Sequence, residues 1–371
     1  MPVPLNVLDL APLVAGGDVR DALTRTLDLA RRAEQFGYHR YWVAEHHFTP
    51  GVAGAQPALL LGQIAAVTDH IRLGSGAVQT GFQTALSIVE QFGLIDALYP
   101  GRFDLGLGRS GQAARSGERT FFPETPDEER VVDGLLIPKH FSWAPIFASQ
   151  RSQLIGSLLQ QPGAQSQPLG EILDQIEALL AGPYGDGEGN EVRAVPGEGA
   201  DLTIWLLGSS GGESARTAGA RGLPFVANYH VAPAKILEAV RAYRESFVPS
   251  ASLREPYLMV SADVLVAEDD VTARRLAAPY ALWVRSIRSG LGAVPFPSIE
   301  EAEAYEWTDT DRELVADRVS TQFVGSPQTV AEGLETLRRV TGADELLITT
   351  IAHSHADRVR SYELLAKEWL I

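Results

Sequence analysis

The chain of 371 residues contains no cysteine. That excludes disulfides, thiolate nucleophiles and any zinc or iron–sulfur site that needs a Cys ligand, and it agrees with a reducing compartment. Positive charge is also scarce, with 31 Lys and Arg against 47 Asp and Glu, a net charge of −16. Such a surface repels phosphodiester backbones and anionic headgroups, so nucleic-acid and membrane partners are not expected. No apolar run approaches the ~20 residues of a membrane span. No basic residue precedes Arg20, so no secretory signal is expected, and the expected location is cytoplasmic.

What is present is a rhythm. Residues 3–10 read as a strand. From 18 to 36, Val19, Ala22, Leu23, Leu27, Ala30, Ala33 and Phe36 fall on one helical face, and Gly37 stands where a helix-ending glycine would. Strand-like runs recur at 41–47, 71–78, 103–108, 202–207, 224–229, 257–266 and 345–351, with helical stretches between them. Pro57 opens the second helix, where a missing N–H costs nothing. Eight strands alternating with helices imply parallel pairing through right-handed crossovers. Eight units suit a closed barrel better than an open sheet. The expected fold is therefore α/β, a (β/α)8 TIM barrel forming one domain over residues 1–371. Irregular insertions are expected after strands 4 and 7, at about 110–170 and 290–320.

Several strand ends carry chemistry. The run Tyr41-Trp42-Val43-Ala44-Glu45-His46-His47 closes an apolar strand with three titratable side chains. Extended backbone turns Glu45 and His47 to one face and His46 to the other. Adjacent histidines then cannot share one metal without a bend, so no metal site is expected. Glu45 and His47 read as well as buried supports as they do as actors. His46 suits proton transfer, because an unperturbed imidazole titrates near ~6.5.

Gly106-Leu107-Gly108-Arg109-Ser110-Gly111 has GxGxxG spacing, but it follows the fourth strand and leads into irregular sequence. A dinucleotide fingerprint belongs to the first βα unit and opens a helix. Arg109 is the informative residue, able to fork onto a phosphate or to pair with one of the many carboxylates. Gly208-Ser209-Ser210-Gly211-Gly212-Glu213-Ser214 precedes a helix and reads equally as a phosphate cradle or a plain N-cap loop. Gly74-Ser75-Gly76-Ala77 is too small-residued for an ordinary strand, which leaves a backbone touching a flat ligand or a simple bulge.

Together these segments resemble the luciferase-like flavin monooxygenases. The resemblance rests on Trp-x-x-Glu-His-His-Phe-Thr from Trp42 to Thr49, on Leu73 to Ala77, on Pro-Gly-Arg-Phe-x-x-Gly-x-x-Arg from Pro100 to Arg109, and on the Gly-Ser-Ser loop with Gly222-Leu223-Pro224 downstream. It implies a (β/α)8 barrel, usually a homodimer, that binds FMN or the deazaflavin F420 at the carboxyl ends of its strands. By position, His46 resembles the family's catalytic histidine, which assists formation or decay of a flavin hydroperoxide, with Glu45 and His47 in support. Arg109 matches an arginine on the flavin phosphate, and Arg130 a second one. Ser209, Ser210, Gly211 and Ser214 fall in the phosphate loop. Gly76 and Ala77 match a non-proline cis peptide beneath the isoalloxazine ring.

Two departures stand out. Gly108 occupies the place of a reactive cysteine in some luciferases, and a family aspartate after the arginine has no counterpart in Ser110-Gly111-Gln112-Ala113-Ala114-Arg115. The light-emitting reaction on a long-chain aldehyde is therefore not expected. The resemblance implies a monooxygenase that uses O2 and FMNH2 from a separate NAD(P)H:flavin reductase, since no credible NAD(P)H domain is visible. Its substrate would be a small apolar or aromatic molecule, such as a secondary-metabolism intermediate. An F420-dependent hydride-transfer oxidoreductase and a non-catalytic flavin-binding subunit are the alternatives, and retention of Glu45-His46-His47 argues against the second.

Overall fold

Each strand pairs in parallel with the one before it until the last returns to the first. A computed structural model of the chain describes residues 2–109, 128–165 and 167–370. Its barrel strands are β1 (Leu5–Asp9), β2 (Arg40–Val43), β3 (Arg72–Ser75), β4 (Phe103–Gly108), β5 (Leu202–Gly208), β6 (Phe225–Asn228), β7 (Leu258–Val266) and β8 (Glu345–Thr349). Because β8 pairs with both β7 and β1, the ring is closed, as eight repeated units led us to expect. Around it lie α1 (Val19–Phe36), α2 (Pro57–Ala65), α3 (Ala85–Leu98), α4 (Leu169–Ala181), α5 (Glu213–Ala220), α6 (Ile236–Ser246), α7 (Pro327–Thr341) and α8 (His355–Trp369).

Local sequence explains where these elements stop. Asp18 and Asp21 form a capping box at the start of α1, and Gly37 ends it in the left-handed region at φ 88°. Strand β2 ends at Val43, short of the histidines, because Glu45 leaves the ladder to accept hydrogen bonds from the Gln79 N–H (3.0 Å) and from His47 (2.8 Å). The third strand-like run is likewise split, into β3 and a two-residue strand Val78–Gln79, on either side of a cis Gly76–Ala77 peptide.

Alternation along the strands sorts side chains into two cores. Outward residues such as Val7, Tyr41, Leu73, Leu105 and Val260 pack on the helices. Inward residues Leu8, Trp42, Trp205, Val226, Met259 and Leu347 fill the middle of the barrel, where the Trp42 and Trp205 rings meet edge to face at 5.4 Å. Below that layer the amino-terminal end is closed by charge. The Arg40 guanidinium donates to Asp104 (2.6 Å) and Glu345 (3.0 Å), Arg72 donates to Asp104 (2.7 Å), and Asn6 and the Tyr257 hydroxyl donate to Glu345. The seam between the first and last strands is tied from outside. Buried Asp9 accepts from Arg358 of α8 (2.7 Å), Thr26 of α1 (2.7 Å) and the Tyr41 hydroxyl of β2 (2.5 Å). Burial alone would push the Asp9 carboxyl up; Arg358 and these donors outweigh it and hold it below the usual range.

The insertions sit at the carboxyl end. After β4, the described residues form a hairpin (Arg130–Val132 with Leu135–Ile137) and helices Ala144–Phe147 and Gln150–Leu159. After β7 comes the long helix Asp270–Arg288, followed within 290–320 by helices Ile299–Ala304 and Asp309–Ser320, each opened by a capping box. Arg288 joins the two insertions: its guanidinium lies 3.6 Å from the centre of the Phe141 ring and donates to Asp317 at 2.8 Å. Among the described residues no helix is long and apolar enough to cross a membrane.

Candidate active site

The carboxyl mouth of the barrel gathers most of the residues singled out in the sequence. His46 lies just beyond β2 on the inward parity of Trp42, and its N–H donates to the Gly54 carbonyl at 2.7 Å. Its Nδ1 is buried with no hydrogen-bond partner among the described residues. Burial, with a smaller contribution from His47, pushes its pKa down to about 4, so the ring is neutral at pH 7. Glu45 and His47 face the other way. The buried Glu45 carboxylate is shared among His47 Nε2, the Gln79 N–H and the Gln83 amide, and the His47 ring rests edge-on against Phe82 at 5.8 Å. The pair ties the loop after β2 to the segment after the cis peptide.

The small residues of β3 and β4 point inward, and each has its own reason. A Cβ on Gly74 would come within 2.5 Å of the Trp42 indole nitrogen, and one on Gly76 within 2.7 Å of Leu8. A Cβ on Gly106 would meet the Ser75 carbonyl at 1.9 Å. Gly74 and Gly106 therefore let the strands and Trp42 pack closely. Higher up, Gly108 and Ala77 lie side by side, with a Cβ on Gly108 only 3.2 Å from that of Ala77.

Next along the rim, Arg109 leaves β4 and pairs with Glu213, the first residue of α5. Burial lowers the Arg109 pKa. Among the described residues helix α5 has no side-chain cap at Gly212, which leaves its first N–H groups open to an anion. Ser209 and Ser210 precede it and Ser214 lies in its first turn, with Ser209 accepting from the Asn228 amide at 3.2 Å. The Gly211 N–H, however, is taken by the Glu238 carboxylate at 3.0 Å.

Arg130 belongs to the insertion after β4. It is exposed on the hairpin, which Asp133 and Gly134 turn back with positive φ angles so that it leans on α7, where Arg339 donates to the Asp133 carbonyl at 2.7 Å. Ser110 and Gly111 lie outside the described residues. A cleft of about 320 Å³ between that hairpin and α7, lined by Leu135, Tyr229, Phe323 and Thr336 among others, contains none of the mouth residues.

One mouth residue escaped the sequence reading. His230, two residues past β6, has the inward parity of Val226 and Asn228, and its Nδ1 lies 2.5 Å from the Ser261 hydroxyl of β7. A lone histidine after Asn228-Tyr229 carries no motif; only the β6–β7 register, which sets Asn228 opposite Ser261, reveals it.

The barrel and this mouth define a class. The chain matches the family described as luciferase-like monooxygenase over residues 7–130 and 155–345. It belongs to that family and is an oxygenating enzyme. A luciferase-like monooxygenase of Escherichia coli (strain K12) is 35% identical over 363 residues, spanning 98% of this chain and 96% of that one. The solved structure of apo-MsnO8 is 31% identical, covers 100% of this chain and 98% of its own, and superposes with a TM-score of 0.77. At lower identity, two chains share the fold. The oxygenating constituent of 3,6-diketocamphane monooxygenase of Pseudomonas putida, in complex with FMN, has 18% identity, a TM-score of 0.67 and coverage of 99% and 97%. An F420-dependent secondary alcohol dehydrogenase has 12% identity, a TM-score of 0.62 and coverage of 99% and 99%.

Proposed function

We propose that the chain is a flavin-dependent monooxygenase that takes reduced FMN from a separate reductase and transfers one atom of O2 to a small, mostly apolar organic molecule. The other oxygen atom leaves as water, and the two electrons come from the flavin. The observation that carries this reading is the convergence at one barrel mouth of His46, with its unpartnered Nδ1, and of Arg109 beside the open start of α5. The orphaned nitrogen and the uncapped helix both fit a ligand with a hydrogen-bonding ring at one end and a phosphate at the other.

In this reading Arg109, Ser210, Ser214 and the first N–H groups of α5 hold the phosphate, while Gly76, Ala77 and Gly108 offer a flat wall to the ring. When bound, reduced flavin supplies the electrons that activate oxygen. His46, neutral at pH 7, accepts or returns a proton at Nδ1. Glu45 and His47 hold the loop that aims it. The insertions, joined through Arg288 and Phe141, cover the mouth and keep water out. A homodimer in the cytoplasm completes the proposal, with sedimentation and cell fractionation as its tests.

The discriminating experiment titrates the full chain anaerobically with FMNH2 and with reduced F420, and then admits oxygen. Tight FMNH2 binding, with reoxidation kinetics altered by the protein, is expected. Tight F420 binding without oxygen uptake would replace the oxygenase with a hydride-transfer enzyme. Oxygen-inert FMNH2 binding would leave a non-catalytic flavin carrier. His46→Ala should lower turnover about 10²- to 10⁴-fold while leaving FMN binding nearly intact.

A further inference from the structure

His230 stands across the mouth from His46. Strands β2 and β6 lie on opposite sides of the eight-strand ring, yet the two imidazoles are close enough that a charge on His46 would disfavour one on His230. Ser261 is fully buried, and the described structure shows its hydroxyl bonded to His230 Nδ1 alone. A buried hydroxyl proton needs an acceptor, so Ser261 donates to Nδ1. The ring's own proton then sits on Nε2, which has no partner among the described residues.

Further toward the carboxyl end, the charges next to this pair are already neutralised. Asp263, two residues further along β7, accepts from Arg318 at 2.9 Å and from the Tyr280 hydroxyl. Burial pushes the His230 pKa down to about 4 against the opposing influence of Asp263, leaving a neutral donor. Between the histidines the floor is apolar, made of Leu8, Trp42, Val226, Met259 and Leu347. Buried Trp283, packed in the same cluster, has an indole N–H without a partner among the described residues. The other buried cation of this cover, Arg288, is paired with Asp317.

We propose that His230 Nε2–H is the anchor that binds the oxygen acceptor of a neutral, largely apolar substrate, with Ser261 as the positioning residue that fixes its tautomer. A carbonyl compound is the class this donor selects, because an apolar floor rewards the hydrocarbon body and a neutral N–H rewards an acceptor. The assignment rests on the reading of this mouth as the active site of an oxygenase, and its test is a binding measurement independent of turnover.

Acetophenone and ethylbenzene, matched in shape except for the carbonyl, serve as probes in equilibrium dialysis against the full chain saturated with FMN. His230→Phe should weaken acetophenone roughly three- to tenfold and leave ethylbenzene unchanged or slightly tighter. His230→Gln, which keeps an N–H donor, should recover part of the loss, and Ser261→Ala should cost less than His230→Phe. In the wild-type protein the carbonyl stretch of bound acetophenone should shift to lower frequency than in hexane, and Ser261→Ala should reduce that shift even if the His230 variants do not fold. Equal effects of His230→Phe on both probes, no binding of acetophenone, or an unshifted stretch would each overturn the proposal. FMN binding is measured separately. Its loss with the ketone preference retained would reject the flavin reading and keep the anchor, while the converse would reject the anchor alone.

Discussion

Replacing Glu213 by Gln should make the protein bind FMN more tightly while making it less stable. Glu213 is paired with Arg109 and is the first residue of α5; its carboxylate also accepts from the Leu169 N–H at 3.2 Å. An incoming phosphate has to take Arg109 from this carboxylate and then remain beside it. At ~6 Å and an effective dielectric of about 40–80, a phosphate of charge about −1.5 to −2 is repelled by ~1–3 kcal/mol. The Glu213 side chain is 37% exposed and that of Arg109 30%, so solvent screening trims this to about 1 kcal/mol, or roughly fivefold in affinity.

Fluorescence quenching of FMN by wild type and Glu213→Gln at low salt measures the gain. The gain should shrink by about 0.5 M salt, where exposed charges are screened. Riboflavin, which has no phosphate, should bind both proteins alike. Loss of a carboxylate from the first turn of α5 should meanwhile cost about 0.5–1 kcal/mol of stability. If FMN binds the variant no better, or riboflavin gains as much as FMN, then Arg109 and α5 do not hold the phosphate.

Other consequences follow from the same contacts. His46 and His230 are both held near 4 by burial, so between pH 6.5 and 4 the unfolded chain binds protons that the folded one refuses. Stability is therefore greatest above about 6.5 and falls with pH, by about 1–2 kcal/mol per histidine between pH 7 and 5. Urea unfolding should show a flatter dependence in His46→Gln and in His230→Gln, and unchanged slopes would contradict the burial argument. Gly106→Ala places a methyl group 1.9 Å from the Ser75 carbonyl and should cost about 3 kcal/mol or more, seen as a lower Tm. Arg40→Met removes a partner from both Asp104 and Glu345 inside the barrel and should destabilise by ~3–5 kcal/mol; a loss below about 1 kcal/mol would mean that water reaches the lower end.

Alternation of apolar strands and helices made the barrel legible, because burial on both faces forces each parallel strand to be apolar along its length. Helix ends marked by Asp18, Gly37 and Pro57 were legible for the same local reasons that hold in the structure. The capped helices within 290–320 were not, since Ser298, Glu301, Thr308 and Asp311 read as loop residues until they meet as caps. At the mouth, His46 could be separated from Glu45 and His47 by strand parity alone. The partners of Glu45 could not, since Gln79 and Gln83 come from the far side of another strand. His230 and the Arg109–Glu213 pair are tertiary facts: each depends on the registers of neighbouring strands, about which a single segment is silent.

The seam between β1 and β8 also bears on how the protein is made. A ribosome releases β1 long before β8, on the order of 20–70 s earlier at about 5–20 residues per second. Until then β1 has an unpaired edge, and Asp9 is a carboxylate without the Arg358 that later neutralises it. A nascent chain with one such edge is a template for other strands. The charged residue at the tip of β1 then has a second use, since an uncompensated carboxylate is costly to bury against a foreign strand and cheap to bury against α8. The carboxylate that later helps to complete the barrel thus guards the edge while synthesis is under way.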